Sequence, residues 1–251
     1  MPRFAANLNF LFREYPAEAR IAQAAAAGFA AVEILDPYGQ PALEIARSLK
    51  ETGISLVLIN CPPPNYTGGP AGFAAQPAQQ ERFKRDFKRT LRYADLLRPD
   101  HIHIMAGAAS GEEARACFIQ NLKWAADIAP RQSLTIEPIN QGDMPGYFLD
   151  DFALARDILG AVNRPNLHLQ FDVYHAHKIT GNAQKAWDEF GAAAAHIQIG
   201  GLPDRHEPTS GFDFRAFFET LDQSGYSGHI SAEYHPRTTT ENGLNWLPVE
   251  I

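Results

Sequence analysis

Cysteine is scarce: Cys61 and Cys117 are the only two in 251 residues. They stand far apart and in no CxxC spacing, so they form neither a disulfide framework nor a thiolate metal site, and they suit a reducing compartment. Long hydrophobic runs are absent. No stretch approaches the roughly 18 apolar residues of a membrane span, so no membrane partner is expected. The N-terminal MPRFAANLNFLFREYP lacks a sustained apolar region and soon reaches Glu14, which does not read as a signal peptide. Positive charge is the minority, with 22 Lys and Arg against 29 Asp and Glu, for a net charge of −7. An acidic chain is a poor non-specific partner for nucleic acid or an anionic membrane surface. Low-complexity linkers and a glycine-rich phosphate fingerprint after an early strand are both missing, which argues against an open dinucleotide-binding sheet. The expectation is a cytoplasmic protein with a small-molecule partner; a homo-oligomer stays open.

What is present is a repeat of two textures. Hydrophobic residues make up 45% and charged residues 20%, enough for a large core. Short apolar and β-branched runs occur near 4–9, 30–35, 55–60, 101–106, 133–139, 167–173, 196–200 and 229–234. Longer segments with helical spacing lie between them, such as Ala17–Ala27, Leu43–Thr52 and Phe83–Leu97, where Phe83, Phe87, Leu91 and Ala94 make one stripe. Eight strands with seven intervening helices predict one (β/α)8 barrel domain over 1–251. Lys123 and Trp124 read as the exposed and buried faces of one helix.

Parity within the later strands sharpens the prediction. His101, His103 and Met105 share a face, as do Thr135 and Glu137, then His168, Gln170 and Asp172, then His196 and Gln198, then His229, Ser231 and Glu233. A strand buried on both sides normally reads as a continuous apolar run. Here one face is apolar and the other polar, with the acids toward the C-terminal strand ends, where barrel active sites sit. The five histidines lie deeper than the acids and read as hydrogen-bonded interior groups rather than zinc ligands. The loop at 61–77, CPPPNYTGGPAGFAAQP, with Tyr66 and Phe73, reads equally as a lid or an ordinary surface loop.

Glu137, Asp172, Gln198 and Glu233 end successive strands 5 to 8. Three carboxylates brought together repel unless a cation lies between them. An oxygen donor set that includes a neutral amide suits Mg²⁺ or Mn²⁺ better than Zn²⁺. Arg205, in PDRHEP, offers the planar fork that a substrate carboxylate needs, or else a loop ion pair with Asp204 or Glu207. His175, three residues past Asp172, could orient a ligand.

These stretches (IEPIN, FDVYH, HIQIGG and SAEYHP), with MAG after strand 4 and PDRHEP, resemble the hydroxypyruvate isomerase family of the xylose isomerase-like barrels. The resemblance runs from NLNFLF to GLNW. It implies a metal-assisted isomerase of a short hydroxy-keto acid, with hydroxypyruvate to 2-hydroxy-3-oxopropanoate first and a 2-oxo-tetronate second. It also implies Glu137, Asp172, Gln198 and Glu233 as metal ligands, Glu137 and Glu233 as the proton-transferring pair, and His175 at a substrate oxygen. Related sugar epimerases carry His where Gln198 stands, which favours the keto-acid branch. The chemistry fits, because moving a carbonyl requires removing a weakly acidic α-proton while a cation stabilises the enediolate. A rival of another class is a metal-dependent endonuclease on a similar barrel. It would need a His-rich zinc cluster and a basic face, whereas the basic run at 81–89 reads as a solvated helix surface.

Overall fold

The alternation of textures closes into a ring. The computed structural model describes residues 3–61 and 71–247. Strands β1 (Arg3–Asn7), β2 (Ala31–Glu33), β3 (Ser55–Cys61), β4 (His101–Ile104), β5 (Ser133–Ile136), β6 (Leu167–Asp172), β7 (Ala194–Ile199) and β8 (His229–Ala232) pair in chain order. β8 returns to pair with β1, and every pairing is parallel. The chain therefore forms the closed (β/α)8 barrel that the sequence predicts.

The helix count differs by one. Among the described residues the crossovers hold α1 (Arg20–Ala26), α2 (Ala42–Thr52), α3 (Gln80–Leu97), α4 (Gly111–Ile128), α5 (Phe152–Val162), α6 (Val173–Thr180), α7 (Ala183–Phe190) and α8 (Phe214–Ser224). α6 and α7 share one crossover. Gly181, at φ 78°, ends α6 in the left-handed conformation that glycine tolerates. The Asn182 side chain then caps α7 by accepting from the Lys185 N–H at 3.0 Å.

The two strand faces separate as parity requires. Ile102, Ile104, Leu134, Ile136, Leu169, Phe171, Ile197 and Ile230 are buried in the apolar shell beneath the helices. α3 packs there through Phe83, Phe87, Ala94 and Leu97, and each buried phenylalanine contributes about 1.5–3 kcal/mol. Trp124 of α4 meets Phe83 and Phe87 edge-on at 6.1 and 5.9 Å. Both Trp124 and Lys123 are half-buried, so the two do not divide cleanly into inner and outer faces. The basic run on α3 makes pairs within its own helix, Arg82 with Asp86 and Lys84 with Glu81.

The barrel interior is polar and internally bonded. Burying polar groups is costly unless they find partners. Thr135 Oγ1 donates to Gln170 Oε1 at 3.0 Å, His101 Nδ1 pairs with Ser133 Oγ at 2.9 Å, and His196 Nε2 with Glu33 Oε2 at 3.0 Å. His101 and His196 thus stand as hydrogen-bonded interior groups, whereas His103 departs from the expectation: its Nε2 has no partner among the described residues and its Nδ1 stays 3.7 Å from Glu137. Both cysteines are buried and free.

Two glycines fix the chain at the rim. Gly72 (φ 105°) bridges Ala106, and a Cβ on Gly107 (φ 84°) would lie 2.1 Å from the Gly72 carbonyl oxygen. Only glycine allows that approach. The loop at 61–77, read equally as a lid or a surface loop, falls mainly on 62–70, with Tyr66, outside the described residues. Phe73, beyond them, is buried under the Arg82 guanidinium at 3.8 Å. Among the described residues no helix is long and apolar enough to cross a membrane.

Candidate active site

The strand ends deliver the expected acids to one place. Asp172 closes β6, Gln198 lies near the end of β7, and Glu137 and Glu233 directly follow β5 and β8. Asp172 and Gln198 are register partners across β6 and β7, and all four residues are buried. Glu137, Gln198 and Glu233 line a cavity of about 240 Å³ together with His175, Arg205 and Phe10. Asp172 does not itself line the cavity but meets Arg205, which does. Its Oδ1 caps α6 by accepting from the Tyr174 N–H at 2.8 Å, which leaves Oδ2 for the site.

Arg205 reaches the acids rather than its loop neighbours. Its Nη2 donates to Asp172 Oδ2 at 2.7 Å and Glu233 Oε1 at 2.6 Å. The guanidinium carbon lies 5.0 Å from the Phe10 ring centre and 4.9 Å from that of Tyr174, within cation–π range of both. The backbone adopts φ 57° at Arg205, and its N–H donates to the Gly201 carbonyl at 2.8 Å. Glu207, one alternative partner, instead accepts from the Arg237 N–H at 2.9 Å. Burial works against the Arg205 charge, but Glu233 and Asp172 outweigh it and hold its proton more tightly than usual.

The sequence reading missed Glu33. It is fully buried on β2, and its carboxylate accepts from Asn7 Nδ2 at 3.1 Å and from Gln198 Nε2 at 2.5 Å. Four buried acids, together with the more exposed Asp143 at 4.0 Å from Nη1, thus crowd one guanidinium. Burial pushes Glu33 and Glu233 each up to about 8, with further contributions from neighbouring acids. It lifts Glu137 well above the usual carboxylate range, helped by the charges of Asp172 and Glu233. Asp172 rises too through burial, although Arg205 and the α6 N–H groups oppose the shift. Such a cluster is short of positive charge, which is what a cation site is.

His175 is held by a second residue the sequence reading missed. Asn140 Oδ1 accepts from the Asp143 N–H at 3.1 Å, which turns Asn140 Nδ2 to within 2.8 Å of His175 Nδ1. Nδ1 therefore accepts, and the proton of the neutral ring sits on Nε2, 3.6 Å from Asp172 Oδ2. Burial, then the Arg205 charge, pushes His175 well below its ordinary value and keeps it neutral.

Glu137, Asp172 and His175 place ligand atoms within 4.8 Å of one another and could hold a metal ion. Two of these belong to the expected ligand set. His175 joins only in its other tautomer, because Nε2 carries the proton in this one. Gln198 turns its amide nitrogen toward Glu33 and Glu233, while its Oε1 accepts from Gln170 at 2.7 Å. Ligation by Gln198 therefore requires the amide to reorient. Glu233 is engaged by Arg205 and by Asn7 at 2.8 Å. The donors remain oxygen-rich and short of one cation, so they fit a hard divalent ion.

A family model described as the xylose isomerase-like TIM barrel matches residues 21–248. A protein named 2-oxo-tetronate isomerase from Cupriavidus necator is 41% identical, over 98% of both chains. One named putative hydroxypyruvate isomerase from Homo sapiens is 39% identical, over 98% of this chain and 94% of its own. A crystal structure titled AP endonuclease, family 2, from Brucella melitensis superposes with a TM-score of 0.94 at 39% identity, covering 98% of both chains.

Proposed function

The chain belongs to the xylose isomerase-like TIM barrel family, and from that premise we propose that it is a metal-assisted isomerase of a short hydroxy-keto acid. The reaction exchanges a C2 carbonyl and a C3 hydroxyl through an enediolate. Hydroxypyruvate to 2-hydroxy-3-oxopropanoate is the three-carbon case, and a 2-oxo-tetronate is the four-carbon case. The observation that carries this reading is a set of four buried acids, two of which, Glu137 and Glu233, line a cavity of about 240 Å³. Relatives named as isomerases of both substrates, at 41% and 39% identity, support it.

Glu137, Asp172, Gln198 and Glu233 would hold the ion, Mg²⁺ or Mn²⁺ by their donor atoms, and when bound it supplies positive charge opposite the developing enediolate oxygens. Glu137 and Glu233 line the cavity and take and return the proton between C2 and C3. Burial raises the affinity of both for protons in the metal-free site, which offsets part of the loss of basicity that a bound cation would impose on a carboxylate base. His175 presents Nε2–H to a substrate oxygen as a neutral donor. Arg205 Nη2 is committed to Asp172 and Glu233, while Nη1 faces only Asp143 Oδ2, at 4.0 Å, and would turn from that long ion pair to a substrate carboxylate.

The endonuclease reading has the Brucella title in its favour. Against it, the described residues offer a single group of metal-ligating spacing, with one histidine. Purified protein assayed with Mg²⁺ or Mn²⁺ against both acids, and against abasic duplex DNA, separates the two. Isomerisation without strand cleavage is the expected result.

A further inference from the structure

The wall of the cavity away from β7 and β8 holds two polar groups that the proton-transfer chemistry does not use. Asn60 on β3 and His103 on β4 are register partners, and both line the same cavity as Glu137 and Glu233. Among the described residues, each keeps a buried side-chain atom without a partner, Asn60 Oδ1 and His103 Nε2. The other orphaned atoms among the described residues, on Asp36, His196 and Ser231, belong to residues that do not line this cavity. Among the described residues, Asn60 Nδ2 meets only the Met105 sulfur, at 3.5 Å, a weak acceptor. His103 Nδ1 lies 3.7 Å from Glu137 Oε2, beyond hydrogen-bond reach. Buried polar atoms normally find partners, so two neighbouring orphans at one cavity call for a ligand group.

We propose that Asn60 and His103 form a hydroxyl-binding subsite that reads the substrate carbon beyond the C2–C3 pair. The inference rests on the isomerase reading and deepens it. A three-carbon acid has no such carbon, whereas a four-carbon acid carries a terminal CH₂OH. A hydroxyl both donates and accepts, so it can serve the Asn60 amide oxygen and the His103 ring nitrogen together once the two side chains turn to present these buried atoms to the cavity. The amide is held only by a sulfur contact and turns to meet it at little cost. Leu35 and Met105, on the same cavity wall, take the methylene. A site built to bond a hydroxyl discriminates against the analogue that lacks it, because its polar groups stay unpaired.

The test is kcat/KM for 2-oxo-tetronate and for hydroxypyruvate in the Mn²⁺-loaded protein and in Asn60→Leu and Asn60→Ser. The expected result is a four-carbon to three-carbon ratio that falls about tenfold or more in Asn60→Leu. Asn60→Ser, which restores a hydroxyl group, recovers part of that ratio. Because the readout is a ratio within each folded variant, a general loss of activity does not imitate it. A ratio unchanged within twofold in both variants overturns the subsite while leaving the isomerase reading intact. No turnover of either acid by the unaltered protein overturns both.

Discussion

At the residue scale, Arg205 binds Asp172 and Glu233 through one nitrogen, so its planar fork matters as much as its charge. Lysine cannot span both acids and face the cavity. Arg205→Lys is expected to lower kcat/KM about 10- to 100-fold, the worth of a hydrogen bond to a charged group, while the melting temperature stays close to the parent's. Glu137→Gln and Glu233→Gln should each keep the fold and lower turnover by about two to four orders of magnitude, the usual worth of a positioned proton-transfer group. Deuterium exchange into substrate from D₂O then identifies the abstracting base, because exchange stops in the variant that lost it. Near-normal turnover in both variants would make these glutamates ligands only. The convergence of Glu137, Asp172, Gln198 and Glu233 was legible because each ends, nearly ends or directly follows a polar-faced strand, whereas His175 lies within α6 and Arg205 in the loop after β7. Glu33 was not legible: AVEIL reads as an ordinary apolar strand, and the alternation that places Glu33 inside needs the short β2 to be phased against β1 and β3. Asn140 and Asn60 were invisible for another reason, since an asparagine at a strand end matches a turn as readily as a site.

At the element scale, the crossovers place the site through their first and last residues. Asp172 both ends β6 and caps α6, so the helix N-terminus and the acid cluster are one construction. The same capping logic works far from the site at α8, where Asp213 Oδ1 accepts from the Ala216 N–H at 3.0 Å. Asp213→Ala should cost about 1 kcal/mol of stability by urea denaturation and leave the site's chemistry alone. Gly107→Ala should be worse. It forces a side chain into the left-handed region and against the Gly72 carbonyl, at about 1–3 kcal/mol for the backbone strain alone. Because Met105 is a cavity residue two positions away, KM should rise as well. Helical stripes and strand parity were readable along the chain because each is a local period. The split of one crossover into α6 and α7 was not, since Gly181-Asn182 within an Ala-rich stretch also fits one helix and a trailing loop.

At the scale of the whole molecule, the barrel interior sets two opposing responses to pH. Burial pushes His103 and His196 down to about 3, so the unfolded chain binds their protons more readily. The stability they contribute is full above the unfolded value near 6.5 and is lost as pH falls toward 3. Glu33 and Glu233 are pushed up to about 8. Their contribution is full below about 4.5 and is lost as pH rises through 8 in metal-free protein. A divalent cation needs these carboxylates ionised and relieves their repulsion. The rise in melting temperature on adding Mn²⁺ should therefore grow from pH 6 to pH 8, and a constant rise across that range would place the ion elsewhere. The barrel itself followed from eight repeats of one pattern, which is why the architecture was plain when single partners were not. The most direct test is isomerisation of hydroxypyruvate and 2-oxo-tetronate by chelator-treated protein before and after Mg²⁺ or Mn²⁺ is restored. Negligible turnover without the ion and recovery with it is the predicted result. Full turnover in the metal-free protein, or none of either acid with the ion present, would contradict it.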